Sequence, residues 1–284
     1  MMNIVTKMSE LTELTANEKT LVTYIVAHPR EVINFRSAEL GAAAFVSVST
    51  IYRLINKLGL AGFAELKIEL ASSLRTLDKD AGIDYDYPIV ESDTPFQIMS
   101  NLNKIYTYTI DETVGYANPD ELVEVGKLLL QATTIDVYAA SANLFFAQNF
   151  KFQMQEIGVL INVPEEDYIQ RLSAANSDHR HVAIVVSYGG RGQTTREVVK
   201  LLKENEVPII LITSIQENPL LEFATHKLYL ASVENHYDKV SSFSTRLSLL
   251  TVFDTLYAIY FNRNYDKNLS YKLENYQKMN KKLI

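Results

Sequence analysis

The sequence predicts two domains: an all-α helix-turn-helix bundle, plain or winged, followed by an α/β three-layer sandwich built on a parallel sheet. Three observations carry that prediction. Residues 37–59 hold two short helical stretches joined by a few residues, the second with a polar outer face. From Pro95 onward, helical stretches alternate with short runs rich in β-branched residues, as in βαβ units. Between them, residues 78–94 carry six acids and one lysine, with Gly82 and Pro88, and have neither helical nor strand period. The expected boundaries are therefore 1–77 for the helix-turn-helix domain, 78–94 for an acidic linker and 95–284 for the second domain.

The first helix is expected over 14–27, with Leu14, Leu21, Val22 and Ile25 available to a core. A short helix from Ser37 to Ala44 precedes the stretch from Val46 to Gly59. There, Ser47 can cap the helix by accepting from a free first-turn N–H. Ile51, Leu54, Ile55 and Leu58 follow the i, i+3, i+4, i+7 spacing of one buried face. Gly59 stands at the C′ position, where glycine is favoured. Ser49, Thr50, Tyr52, Arg53, Asn56 and Lys57 are left to point outward, all of them donors or cations. Together with Ser47 they form the expected DNA-binding set, because the second helix of such a pair enters the major groove. Residues 60–76 continue helically through Phe63, Leu66, Leu70 and Leu74.

In the second half, helices are expected at 95–113 and 119–131, then a strand from Ile135 to Ala140. A helix from Leu144 to Ile157 ends at Gly158, and a strand covers Val159 to Val163. The run from His181 to Ser187, with Val-Ala-Ile-Val-Val inside it, and the run from Val207 to Thr213 read as strands of the kind buried on both faces of a parallel sheet. A helix at 193–205 lies between them. A short helix from Asn218 to Ala224, a last strand from Lys227 to Ala231 and a long helix from Ser242 to Phe261 follow. The tail after Asn262 holds six Lys/Arg against two acids and is expected to be partly helical.

The composition, 47% hydrophobic and 21% charged, is that of a soluble globular protein. No run approaches the ~18 apolar residues of a membrane span. The start, Met1-Met-Asn-Ile-Val-Thr-Lys7, has neither the basic segment nor the apolar core of a signal peptide, so a cytoplasmic protein is expected. With no cysteine there is neither a disulfide framework nor a thiolate metal site. His179 and His181 have no third convergent histidine, so they read as surface residues, and neither metal nor cofactor is expected.

The net charge of −7 is unevenly placed. Residues 1–77 carry eight Lys/Arg against seven Asp/Glu, and the remainder nineteen against twenty-seven. Phosphate neutralisation supplies much of DNA affinity. A nearly neutral reading head therefore needs a second copy, and a homo-oligomer, dimer or tetramer, on a palindromic double-stranded operator is expected. Pairing is expected mainly through the second domain, with the long final helix, carrying Leu247, Leu250, Phe253, Leu256 and Tyr257, as part of the interface.

The wider pattern of the first 70 residues resembles the RpiR family of bacterial sugar-responsive transcription regulators. The matching residues are Leu14-Thr-x-x-Glu18, Ile25, Pro29, Ser37-Ala-Glu-Leu40, Val46-Ser-x-Ser-Thr-Ile51, Arg53, Lys57-Leu-Gly59 and Gly62-Phe-x-Glu-Leu-Lys67. Phe45 stands where that family usually has the turn glycine, and Gly41 where an alanine packs. Residues of about 120–262 resemble the SIS (sugar isomerase) domain that accompanies this helix-turn-helix. That likeness rests on Ile135-x-Val-Tyr138, Lys151 with Gly158, Ser187-Tyr-x-Gly190, Ile212-Thr213, Asn218-Pro-Leu220, Arg246 and Asp254-x-Leu-Tyr257.

The resemblance implies a sensor for a sugar phosphate. In open parallel sheets, ligands sit beyond the carboxyl ends of the strands, where helix N-termini and hydroxyl side chains hold phosphate. Two loops qualify: 139–143, with Ser141 and Asn143, and 187–195, with Ser187, Gly189, Gly190, Arg191, Thr194 and Thr195. The family's first loop has glycines at Ala139 and Ser141 and a serine at Asn143. Its second has a serine at Gly189 and a threonine at Gly192. Thr194, Thr195 and Arg191 are placed to compensate; otherwise the ligand is not phosphorylated, or the domain only dimerises. The expected function is effector-controlled transcription regulation of carbohydrate metabolism, without catalysis. The alternatives are an effector-independent DNA-binding dimer and a phosphosugar isomerase, for which Glu234 and His236 are the acid–base candidates.

Overall fold

The computed structural model describes residues 4–9, 11, 13–78, 83–216, 218–231, 233–235 and 237–280. They form two compact units: Met1–Asn118 with Ile215–Glu217 and Ala231–Ser244, and Pro119–Ser214 with Asn218–Leu230 and Thr245–Ile284. The helix expected to open the second domain thus groups with the first unit.

The first unit is helical: α1 (Ile4–Ser9), α2 (Ala16–Ala27), α3 (Pro29–Val32), α4 (Ser37–Ala43), α5 (Val48–Lys57), α6 (Phe63–Asp78) and α7 (Pro95–Gly115). Local chemistry sets the helix starts. Thr15 and Glu18 form a reciprocal capping box on α2, and Thr94 and Gln97 do the same on α7, with Pro95 at the first helical position. The apolar stripes of α2, α4, α5 and α6 converge with Met8 on one core holding Leu21, Ile25, Leu40, Ile51, Leu54, Ile55, Leu58, Leu66 and Leu70. The side chain of Leu74 lies outside those described. Helices α1 and α3 are too short to show a period in sequence. Of the expected linker, residues 79–82 lie outside the described residues and 83–94 form no regular element.

The second unit holds α8 (Pro119–Gln131), β1 (Thr134–Tyr138), α9 (Asn143–Glu156), β2 (Ile161–Asn162), α10 (Asp167–Asn176), β3 (His181–Val186), α11 (Gln193–Glu204), β4 (Ile209–Ser214) and β5 (His226–Leu230). The long α12 (Phe243–Arg263) belongs to it from Thr245 onward, and α13 (Tyr265–Asn280) follows. The sheet is wholly parallel with strand order β2-β1-β3-β4-β5. Alternating side chains feed two cores. Ile135, Val137, Ile184, Ile210 and Ile212 pack with Phe150, Met154, Phe253 and Leu256 of α9 and α12. On the other face, Tyr138, Ala183, Val185, Ile209 and Leu211 pack with Ala174 of α10 and Val198, Val199 and Leu202 of α11. This is the three-layer sandwich the β-branched runs predict.

Several expectations need correction. Phe253 and Leu256 lie fully inside the sheet core, so they cannot form a pairing surface. Residues 218–224 are turns, closed by i to i+3 bonds from the Leu221 N–H to the Asn218 carbonyl at 3.3 Å and from the Phe223 N–H to the Leu220 carbonyl at 3.1 Å. The second strand shrinks to two residues, since the Val159 N–H is taken by the Met154 carbonyl in closing α9. His181 is no bare surface residue: its Nδ1 lies 2.7 Å from the buried Asp136 carboxylate, which also accepts from Asn162 at 2.7 Å. Helix α10, and the full length of α13, were not read from the sequence. Among the described residues no single helix is long and apolar enough to cross a membrane.

Candidate functional site

The first site is built on α4 and α5, which meet with a bend of 104° across a four-residue turn. That bend falls in the range of a helix-turn-helix. Ser47 caps α5: its Oγ accepts from the Thr50 N–H at 3.2 Å and lies 2.8 Å from Ser49 Oγ. At the other end, Gly59 takes φ +69, and the Gly59 and Leu60 N–H groups close on Asn56 and Ile55. This pair of bonds is a Schellman stop, whose left-handed C′ residue explains the glycine.

The expected reading residues divide into three groups. Ser49, Tyr52, Arg53 and Asn56 are exposed on one face. Thr50 is not among them: it is fully buried, its Oγ1 lying 2.9 Å from Ser47 Oγ and accepting from Arg53 Nη2 at 3.1 Å. It stands at the edge of the apolar stripe, and neighbouring helices cover it. Lys57 is half engaged, its Nζ donating to Glu18 Oε2 at 2.9 Å and to the Glu13 carbonyl. The remaining outward set is compact, uncharged except for Arg53, and rich in donors, as base-edge and phosphate contacts require.

The second site lies at the carboxyl edge of the sheet. In the order β2-β1-β3-β4-β5 the chain leaves β1 toward one side and returns at β3 on the other, so the switch point lies between β1 and β3. Tyr138 registers against Val185, so the loops that follow these strands leave the same edge side by side. They are 139–143 and 187–195, the two singled out in the sequence. Ser141 holds φ +53, the conformation that a glycine takes without strain, and it is exposed. Asn143 opens α9, half-buried.

The second loop is rigidly held. The Tyr188 carbonyl accepts from Thr213 Oγ1 at 3.1 Å and from Ser214 Oγ at 2.8 Å, and Asn218 Nδ2 donates to Thr213 Oγ1 at 2.8 Å. Gly190 is buried at φ +65, where a Cβ would meet Asn218 Oδ1 at 2.9 Å and Pro219 at 3.0 Å. Arg196 donates to the Gly190 carbonyl at 3.1 Å and to that of Arg191 at 2.7 Å, clamping the turn from α11. Ser187 and Gly189 are half-buried at the base of the loop, and Arg191 is exposed at its tip.

Helix α11 begins at Gly192 without a side-chain cap. A Cβ there would lie 3.1 Å from Thr195 Oγ1, so the missing side chain leaves room for that hydroxyl, with Thr194 beside it. Uncapped first-turn N–H groups, two hydroxyls and a nearby cation are the components of an anion site. The clamp residue Arg196 was missed in the sequence; its signal was only a cation four residues after Gly192.

Glu234, the isomerase candidate, is buried in the first unit. Its Oε1 accepts from the Ser244 backbone N–H in the first turn of α12, and Lys239 Nζ lies 3.5 Å from Oε2. An acid on a helix N-terminus is a structural arrangement in itself. His236 lies outside the described residues.

Comparisons with known proteins agree with both halves. Residues 2–76 match the family model described as helix-turn-helix domain, rpiR family, and residues 128–259 match the SIS domain. The chain is similar to an uncharacterized HTH-type transcriptional regulator of Caldanaerobacter subterraneus subsp. tengcongensis, 29% identical over 92% of this chain and 90% of that protein. It is also similar to the HTH-type transcriptional regulator HexR of Pseudomonas aeruginosa, 27% identical over 87% of this chain and 85% of HexR. Among solved structures, the Vibrio vulnificus NanR protein complexed with ManNAc-6P shares the fold along 99% of both chains, with TM-score 0.61 and 17% identity. The sugar isomerase domain of an RpiR transcription factor from Sphaerobacter thermophilus covers 64% of this chain and 99% of its own, with TM-score 0.57 and 18% identity. The family matches over both halves and the regulators that resemble the chain along most of its length lead to one statement: the chain is a transcription regulator that joins a helix-turn-helix domain of the rpiR family to a SIS domain.

Proposed function

We propose that this regulator reads operator DNA with α5 and changes its affinity when a sugar phosphate binds at the β1/β3 edge of its SIS domain. The observation that carries the sensing half is the coincidence of the switch point with a clamped loop and an uncapped α11 N-terminus. The ligand class is the one in the NanR complex, a phosphorylated sugar. Its phosphate is assigned to the Gln193, Thr194 and Thr195 N–H groups, with Arg191 as counter-charge and Ser187, Ser141 and Asn143 toward the sugar. The functional division is 1–77 for reading, 78–94 as connector and 95–284 for sensing; the family matches over 2–76 and 128–259 support its two main parts, while α7 groups with the first unit.

The working form is a homo-oligomer, dimer or tetramer, acting in the cytoplasm on a palindromic operator. Two reading heads offset the weak charge of each, and a ligand that prefers one sensor state shifts their spacing. Regulation without catalysis is the reading favoured over an isomerase, because Glu234 is committed to the start of α12. The test is a thermal-shift screen of the full chain against sugar phosphates and their unphosphorylated sugars, followed by DNA binding with and without each hit. A phosphorylated sugar that raises the midpoint and changes DNA affinity supports the reading. No shift across the panel, with unaltered DNA binding, leaves the effector-independent dimer; turnover of a hit would establish the isomerase.

A further inference from the structure

Phe45 occupies a position where its residue type costs free energy and nothing within the described fold returns it. It is the C′ residue of α4: the Val46 N–H closes on the Gly41 carbonyl at 2.9 Å and the Phe45 N–H on Ala42. That motif needs a left-handed residue, usually glycine. Phe45 takes φ +54. A bulky side chain is strained there, because its Cβ crowds the following carbonyl. Burial of the ring would offset the strain, but Phe45 is 93% exposed. The other two non-glycine residues with positive φ among those described, Ser141 and Glu206, are both polar and need no burial.

The location says what the ring is for. Phe45 precedes the α5 cap by two residues, and Val48 and Tyr52 follow it at i+3 and i+7, 39% and 44% exposed. Val48 and Tyr52, four apart on α5, share one exposed face of that helix, and Phe45 stands in the turn that leads into it. In a helix-turn-helix the N-terminal end of the second helix meets base edges. The one apolar group on the major-groove floor is the thymine 5-methyl, and phenylalanine is among the side chains that contact it.

We propose that Phe45 is a specificity-determining residue whose ring packs on a thymine methyl of the operator, with Val48 and Tyr52 extending the contact. This rests on α5 being the reading helix.

The experiment uses the full-length protein. Duplexes are first selected from a random library. Affinity is then measured at fixed salt on the selected duplex and on versions with each thymine in turn replaced by deoxyuridine, which lacks only the methyl. The wild type is expected to lose about fourfold at one or more positions, the worth of one buried methyl. Phe45→Gly and Phe45→Asn, both of which accept a left-handed backbone, are expected to bind the selected duplex more weakly and to lose that thymine dependence. Neither should lower the melting temperature. Variants that keep wild-type affinity and the wild-type thymine pattern overturn the proposal and place the ring in some other contact. If the wild type itself enriches no sequence, the reading helix is refuted and the proposal falls with it.

Discussion

Lys57, in the last turn of α5, donates to Glu18 of α2 across 2.9 Å, tying α5 to the capping box 39 residues upstream. The Glu18 carboxylate also accepts from the Thr15 N–H and hydroxyl, both at 2.8 Å. One buried acid therefore caps α2 and anchors α5.

This gives a pH dependence with a definite sign. The Thr15 backbone bond first, and the Lys57 bond next, lower the Glu18 carboxyl from 4.5 to about 2. A depressed folded value means that the ionised form stabilises the helical unit above pH 4.5 and that the contribution disappears as pH falls toward 2. Glu18→Gln should melt at lower temperature than wild type at pH 7, and the two midpoints should converge as pH approaches 2. A gap that persists through that window would mean that the effect of Gln is steric.

Arg53→Ala should weaken operator binding by about 1–3 kcal/mol if the guanidinium reads a base, with the circular-dichroism spectrum unchanged. Lys57→Met should act in the opposite proportion, lowering stability more than DNA affinity, because it removes the partner of a buried acid. Titrations of both variants on the selected duplex, beside urea melts, separate the two roles.

At the sheet edge, Arg191→Ala and Ser187→Ala should each weaken the response to a phosphorylated ligand while leaving ligand-free DNA binding intact. The arginine should matter more, a charge-assisted bond contributing about 1.5–3 kcal/mol. Isothermal titration with the best ligand of the thermal screen measures both. Equal affinity in Arg191→Ala would move the phosphate away from this loop.

Gly190→Ala should destabilise the second unit by about 1–2 kcal/mol from the left-handed backbone alone, with more from the contact at 2.9 Å with Asn218. Urea denaturation reads the loss. Ligand response should fall further than stability does, since the displaced turn carries Arg191.

What could be read without coordinates was what short stretches of chain decide for themselves. The α5 stripe of Ile51, Leu54, Ile55 and Leu58, the Ser47 cap and the Gly59 stop were legible because each depends on residues within one or two helical turns. The apolar strands β3 and β4 were legible because burial on both faces leaves no polar alternation. Of the three positions where the family has glycine and this chain does not, Phe45 and Ser141 are left-handed in the structure, at φ +54 and +53, and Ala139 is not.

Contacts between distant segments were not legible, because residue spacing carries no information about which elements become neighbours. Thr50 reads as outward from its own helix and is buried only because other helices cover it. The fate of Lys57 is set by Glu18, that of His181 by Asp136 on the adjacent strand, and that of Glu234 by the start of α12. Alternating strands and helices required a parallel sheet, but several strand orders satisfy that alternation. Only the packed structure chose β2-β1-β3-β4-β5, and with it the edge where the loops after β1 and β3 stand together. Periodicity and capping are local free energies written into neighbouring residues; strand order and side-chain partners are settled by which arrangement buries the apolar faces of the whole unit at once.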